Sequence, residues 1–387
     1  MWNKIRAIKQ HKRNPLLKKI IVMALVVLLV CGVVSLIIFW DELHMDARLL
    51  RLKYWRSNGE GTYGTYSFDA HNSNCYANFD DGLAVASVGG LSTYAEDGHM
   101  SCVSQGQLSL PQIKSVKDMV MAFDVGGNSL LAIHRSNGEV LRAETEKAIL
   151  DADISVDGDI CFVSSEGGHK SVLTVYNEKQ ELVYRWLSTS TFLPVCAISD
   201  EGEELAAIGL DQKDGSFSST LNLFQTDTDQ IVNTVHLGGD LIYDLMYVNK
   251  DTLCAIGEGA VTYLSSVGDV LQAYSYEGKY LKDYDAGGNG FLALALNTYR
   301  AGNRYSLLVV DETMSEPISV YIGQEILDLS AAGKYIAVLT PKGLTVYDRD
   351  LAVCFQTQNI GAATSVLMRQ DGTALLLGGG MGRLFIP

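Results

Sequence analysis

The chain has 387 residues, 47% apolar and 19% charged, with a formal net charge of −15. That apolar fraction supports a large buried core and excludes a disordered chain. The charge is uneven: residues 1–19 hold all of an excess of +7, residues 20–40 are uncharged, 41–60 balance, and 61–387 carry −22. So acidic a body repels polyanions and argues against a nucleic-acid partner.

In chain order, the basic tail 1–19 comes first, with Lys4, Arg6, Lys9, Lys12, Arg13, Lys18 and Lys19 and no acid. The run "IIVMALVVLLVCGVVSLIIFW", Ile20 to Trp40, follows. At 1.5 Å per residue it reaches roughly 30 Å, the thickness of a bilayer core. Trp40 stands where an interfacial aromatic belongs, and the positive charge on one flank predicts a cytoplasmic N-terminus with the remainder exported. A cleaved signal peptide would carry a shorter apolar core and a small-x-small site, whereas this core runs into "IIFWDEL". Cys31 follows Val30 and does not fit a lipoprotein site. The expectation is one uncleaved transmembrane helix over 20–40, so that the lipid bilayer is itself a partner. Next, "DELHMDARLLRLKYWRSNGE" (41–60) places Leu43, Leu49, Leu50 and Leu52 among charges and reads as a short helical stalk.

From residue 61 onward the pattern changes to short apolar runs punctuated by Gly, Asp and Asn. The 37 Gly, 6 Pro and an excess of Tyr over Phe suit many short strands joined by tight turns. Five stretches share one grammar: 82–105, 158–187, 251–275, 290–321 and 333–357. In the last, "YIAVLT", "LTVYD" and "LAVCFQ" are separated by "PKG" and "RD". Each is preceded by a strand closing in a turn, such as "DADISVDGD", "VCAISDEGE" or "DYDAGGNG". Four-stranded units therefore begin near 72, 110, 150, 192, 239, 281, 324 and 362, a spacing that marks propeller blades. The final stretch 363–387 supplies three strands, and "GTYGTYSFDA" (61–70) is placed to donate the fourth and close the ring. The prediction is an all-β, eight-bladed β-propeller over 61–387, with seven blades as the alternative because "NCYANFDD" is irregular.

The architecture, together with "FDVGGNSLL" (123–131), "ISVDGDICFV" (154–163), "CAISDEGEELAAI" (196–208), "DGSFSSTLNLF" (214–224) and the closing "VYDRDLAV…VLMRQDGTALLLGGG…LFIP", resembles the bacterial domain-of-unknown-function family 5711. The resemblance spans nearly the whole chain and brings no catalytic motif. It implies a bacterial cell-envelope protein with a membrane-anchored propeller. The chain is more distantly similar to eight-bladed rings of the quinoprotein and outer-membrane-assembly types.

No catalytic, cofactor-binding or metal-ligating residue is assigned from the sequence. Quinone enzymes dock their blades through recurring Trp, but beyond the stalk only Trp186 occurs. Asp151, Asp153, Asp157 and Asp159 lack the alternating ligand rhythm of a calcium loop and read as strand-flanking acids, with Asp157-Gly158 as a hairpin turn. The polar segment "DQKDGSFSST" (211–220) reads as an exposed loop, and "GGGMG" (378–382) as a turn, since it lacks the Lys-Ser/Thr of a phosphate loop. Cys31, Cys75, Cys102, Cys161, Cys196, Cys254 and Cys354 form no CxxC pair; six lie in the part expected to be exported, five of them inside apolar strand patterns, where an isolated Cys reads as a small buried hydrophobe, a bridge between neighbouring strands being the alternative. The expected function is a non-catalytic platform at the envelope that binds another envelope protein or a cell-wall ligand. Its alternative is a glycan or peptide hydrolase with acids converging at the propeller funnel. A sensor signalling through the helix ranks last, because the tail offers no receiving domain.

Overall fold

The computed structural model describes residues 65–387, except Asp214 and the side chain of Lys213, together with Met23, Val26 and Val30. The basic tail expected over 1–19, the stalk expected over 41–60 and, apart from Met23, Val26 and Val30, the transmembrane helix expected over 20–40 lie outside the described residues. Among those described, no helix is long and apolar enough to cross a membrane.

Eight antiparallel four-stranded sheets make up the described body. Blades 1 to 7 are consecutive and span 75–105, 111–144, 149–188, 192–238, 242–275, 280–321 and 328–357. Blade 8 combines Ser365–Met368, Ala374–Gly378 and Met381–Phe385 with Thr65–Ser67 from the other end of the chain. This is the eight-bladed β-propeller expected from the sequence, closed by the strand expected to close it. Cys75–Phe79, within the irregular "NCYANFDD", is a true first strand, pairing with Gly82–Ser87 from Cys75↔Ala86 to Phe79↔Gly82. The seven-bladed alternative falls with it.

The first strand of each blade lies innermost and contacts the first strands of its neighbours. The second strands are apolar almost without interruption because both of their faces are covered. In Phe291–Asn297, Phe291, Ala293 and Ala295 pack into the seam with blade 7, while Leu292, Leu294 and Leu296 pack into the seam with blade 5. In Tyr335–Thr340, Ile336 and Val338 face blade 6, and Ala337 and Leu339 face blade 8. A lone blade would leave half of these side chains in water, at roughly 1.5–3 kcal/mol per large aliphatic side chain. Stacking around an axis removes that cost. Third and outer strands are joined with a register shift in blades 1 to 5 and in blade 7, and such bulges raise the local twist that fans each blade outward.

One expectation is corrected. Residues 211–220 belong to two long strands, Glu204–Lys213 and Ser216–Gln225, whose pairing continues through Leu210↔Ser219, Asp211↔Ser218 and Gln212↔Phe217. A ribbon that projects beyond its sheet has both faces in solvent, so it needs no apolar alternation, and its polar sequence reads as a loop. "GGGMG" does turn, with Gly379 and Gly380 at φ +60 and +77. So does Asp157-Gly158, with Gly158 at φ +92 and Ser155 N donating to Asp159 O at 2.8 Å. Trp186 packs edge-on to Phe224, with ring centroids 5.1 Å apart, and serves the single seam between blades 3 and 4. Among the described cysteines, Cys161, Cys196 and Cys254 are buried, while Cys75, Cys102 and Cys354 are half-buried.

Candidate functional site: the central shaft and its mouth

An innermost strand is the edge of its sheet, so alternate backbone N–H groups face the axis without a ladder partner. Such groups are costly when left buried and unpaired. The sequence answers with acids spaced two apart, which a strand places on one side: Asp151 and Asp153 in blade 3, Asp283 and Asp285 in blade 6, and Asp328 with Ser330 in blade 7. Each reaches the next blade. Asp151 Oδ2 accepts from Cys196 N at 3.0 Å and Asp153 Oδ2 from Ile198 N at 3.1 Å. Asp285 Oδ2 accepts from Ala331 N at 2.9 Å, Asp328 Oδ2 from Val366 N at 2.6 Å, and Ser330 Oγ from Met368 N at 3.0 Å. Between blades 5 and 6 the link is a side-chain pair, with the Tyr284 hydroxyl donating to Asp244 Oδ2 at 2.7 Å. These side chains stitch the inner strands together at four of the eight seams, those between blades 3 and 4, 5 and 6, 6 and 7, and 7 and 8.

The shaft is consequently dense in carboxyl groups. Lys114, on the inner strand of blade 2, lies 3.2 Å from Asp153 Oδ1. Burial lowers its affinity for a proton, but Asp153, Asp151 and Asp244 outweigh burial and hold its pKa well above the usual lysine range. The acids titrate high. Burial, opposed by Lys114, pushes Asp151 up to about 6. Burial, reinforced by Asp285, pushes Asp328 up to about 6. Burial and the charges of Asp328 and Asp285 push Asp283 up to about 8. Asp244 and Asp285 are raised mainly by burial.

A carboxyl group whose pKa rises on folding binds more protons in the native chain than in the unfolded one. For Asp283 this holds between about 4, the unfolded value, and about 8. Stability therefore falls as pH rises through that window. The protein is expected to melt at a higher temperature at pH 5 than at pH 8. Asp283→Asn, with no proton to lose, flattens that dependence and melts above wild type at pH 8. Calorimetric Tm values across the window check both statements.

At the end where the chain enters the inner strands, four large apolar side chains stand in solvent. Leu110, Phe192, Tyr243 and Leu327, from blades 2, 4, 5 and 7, are between 37% and 52% exposed. Inner strands all start at the same end of an antiparallel propeller, so these residues share the mouth of the shaft. Neither the stitching acids nor this collar is assigned by the sequence reading, which took Asp151 and Asp153 as strand-flanking acids. Among the described residues, no three His, Cys, Asp or Glu side chains are disposed to hold a metal ion.

The sequence profile of DUF5711, a family of unknown function, matches residues 58–372. The chain belongs to this family. No curated protein matches the DUF5711 chain in sequence. Its fold is similar to that of BamB from Moraxella catarrhalis, with a TM-score of 0.53 and 13% identity over 84% of this chain and 96% of that one. It is also similar to the C-terminal WD40 domain of Sif2, with a TM-score of 0.57 and 10% identity over 84% of this chain and 98% of that domain. At such identities the likeness is one of fold.

Proposed function

We propose that this DUF5711 protein is a non-catalytic, membrane-anchored platform of the bacterial cell envelope, holding an envelope protein or cell-wall component at the mouth of its propeller. The observation that carries the reading is the collar of Leu110, Phe192, Tyr243 and Leu327. In a body of charge −22, four large apolar side chains exposed at the same end of the inner strands give a partner apolar contact around the mouth. The stitching acids support the same reading, because one oxygen each of Asp151, Asp153, Asp285 and Asp328 is spent on a backbone amide of the neighbouring blade. The anchor over Ile20 to Trp40, with its basic cytoplasmic flank, would present the mouth outside the membrane.

The competing reading, a glycan or peptide hydrolase, draws on Asp283, whose carboxyl stays protonated near neutral pH beside Asp285 and Asp328. A protonated acid next to an ionised one is what general acid–base chemistry requires. Photo-crosslinking in intact membranes separates the two. A photoreactive residue in place of Leu110, Phe192, Tyr243 or Leu327 should give reproducible adducts, while one in place of Val353, exposed on the outer strand of blade 7, should not. Absence of adducts at all four positions, with hydrolysis of wall material by the purified chain that Asp283→Asn abolishes, would install the hydrolase instead.

A further inference from the structure

A second apolar opening lies away from the shaft, in the seam between blades 4 and 5. It is a cleft of about 290 Å³ whose walls include Leu205, Leu223, Phe224 and Tyr247, with Val232 and Val267 at its lip. The lip residues stand 54% and 65% exposed. Val232 starts the outer edge of blade 4, where its N–H bonds Leu223 O, and Val267 sits in the last hairpin turn of blade 5. The side chain of Asn233 fixes the two lips together, its Nδ2 donating to Val267 O at 2.7 Å. Ile231, Val270 and Leu271 extend the exposed apolar surface along the same hairpins. A preformed gap of this size takes one or two aliphatic or aromatic side chains.

The surrounding charge is mainly negative. Glu204 is part of the wall. Glu201 and Glu203 precede it, Asp251 lies in the neighbouring turn of blade 5, Asp269 follows Val267 by two residues, and Asp227 lies in the turn that leads to Val232. Lys250 is the cation close by, and its Nζ is already 2.9 Å from Glu201 Oε1. The carboxyl of Glu204 feels the imbalance: burial, then the charges of Asp251 and Glu201, lift it above the usual carboxylate range, and Lys250 only partly offsets them. An apolar slot beside an excess of carboxylates selects its occupant by charge as well as by shape.

We propose that the cleft between blades 4 and 5 is a docking site for a cationic amphipathic polypeptide segment of a partner protein, which seats an apolar side chain between Val232 and Val267 and sets Lys or Arg against Glu204, Asp251 and Asp269. This rests on the platform reading and adds to it a second contact, distinct from the mouth, with a defined partner chemistry. An acidic segment is repelled, and a neutral lipid surface gains nothing from the carboxylate rim.

The test uses the full chain in phosphatidylcholine nanodiscs and a fluorescent peptide alternating leucine and lysine, read by anisotropy. Binding is expected, is weakened at least tenfold by the pair Val232→Ser and Val267→Ser, and is weakened by Glu204→Gln and by added salt. A leucine–glutamate peptide should not bind. Both serine substitutions fall on exposed positions, so folding is retained and is verified by an unchanged Tm. A photoreactive residue in place of Val267 then identifies the occupant, and an adduct with the leucine–lysine peptide is the expected product. Equal binding by the serine pair, equal binding of the acidic peptide, or an adduct with lipid or with a second copy of the chain each overturns the proposal. If that happens while the mouth still crosslinks a partner, only the assignment of the cleft fails. If neither site yields a partner, the platform reading fails with it.

Discussion

Asp311→Ala should lower the stability of the propeller by about 3 kcal/mol, the scale of losing a buried, hydrogen-bonded charge. Asp311 directly follows the third strand of blade 6, Tyr305–Val310, and is 4% exposed. Its Oδ1 accepts from Thr313 N and Thr313 Oγ1, each at 2.7 Å, and from Met314 N at 2.8 Å, which shapes the turn into the outer strand. Its Oδ2 meets the Arg349 guanidinium of blade 7. Its backbone oxygen takes the Tyr274 hydroxyl of blade 5 at 2.8 Å. One residue thus ties three blades, and alanine keeps only the last of these contacts. Burial raises the carboxyl's pKa, but the Thr313 and Met314 donors and Arg349 outweigh it, and the value lies below the usual range. The stability it contributes is therefore present above the unfolded pKa of about 4 and is lost as pH falls further. Asp311→Asn, which keeps an acceptor for the turn but not the ion pair, should cost less than half as much. Denaturant midpoints of wild type and both variants, taken at neutral pH and below pH 4, check the size and the sign. An equal loss in the two variants would place all the effect in the ion pair with Arg349.

This acidic loss runs opposite to the effect of Asp283, and both follow from where the carboxylates point. Asp311 is met by donors from two blades. Asp283 shares a narrow shaft with other acids. The stability of the ring should accordingly rise from pH 8 towards pH 5 and fall once more in stronger acid.

The blades were legible in the sequence because their signals are local. Alternation within "GLTVYD", the turn at "PKG" and the apolar run "YIAVLT" each lie within a few residues, and the inner strands begin within about four residues of the expected unit starts. Closure was legible too, because a unit with three strands at one end and a lone alternating strand at the other can complete each other. The stitching acids were not, since their partners lie a blade away: Asp151 and Cys196 are separated by 45 residues, and Asp328 and Val366 by 38. A signal was nevertheless present. Asp151-Ala-Asp153, Asp283-Tyr-Asp285 and Asp328-Leu-Ser330 stand seven to nine residues ahead of three second strands, and laying the copies over one another exposes the recurrence. The collar carries no such mark. Leu110, Phe192, Tyr243 and Leu327 are ordinary residues for the start of a strand, and only the ring brings them to one rim. The cleft between blades 4 and 5 is also tertiary, since Val232 and Val267 are hairpin residues that differ from others only in what faces them.

Tyr66→Ala should be the most damaging single change at the closure, costing about 3–5 kcal/mol, as truncation of a buried aromatic does. Tyr66 is 1% exposed in the strand Thr65–Ser67, which pairs with Met381–Phe385 through Thr65↔Arg383, Tyr66↔Gly382 and Ser67↔Met381. The strand also leans on blade 1. The Tyr66 ring meets Tyr94 edge to face at 6.2 Å, and its hydroxyl is 3.4 Å from both Glu96 O and Arg369 Nη2. Two glycines make room for it. A Cβ at Gly382 would come within 2.8 Å of Leu377 and 3.3 Å of Tyr66 Cβ, and one at Gly98, where φ is +86, within 2.6 Å of Thr65 O. Because this short strand belongs to blade 8 by its ladder and to blade 1 by its side chain, losing the ring of Tyr66 loosens both sides of one seam. Tyr66→Phe keeps the ring and gives up only long hydrogen bonds, so it should cost less than about 1 kcal/mol. Tyr66→Pro, which also removes a ladder N–H, should exceed alanine. Hydrogen exchange distinguishes a local opening from a general one. In Tyr66→Ala, faster exchange is expected in Cys75–Phe79 and Met381–Phe385, with Leu205 to Ile208 and Leu253 to Ile256, in the second strands of blades 4 and 5, still protected. Uniform acceleration around the ring would mean that the blades unfold as one cooperative unit and that the closing strand governs them all.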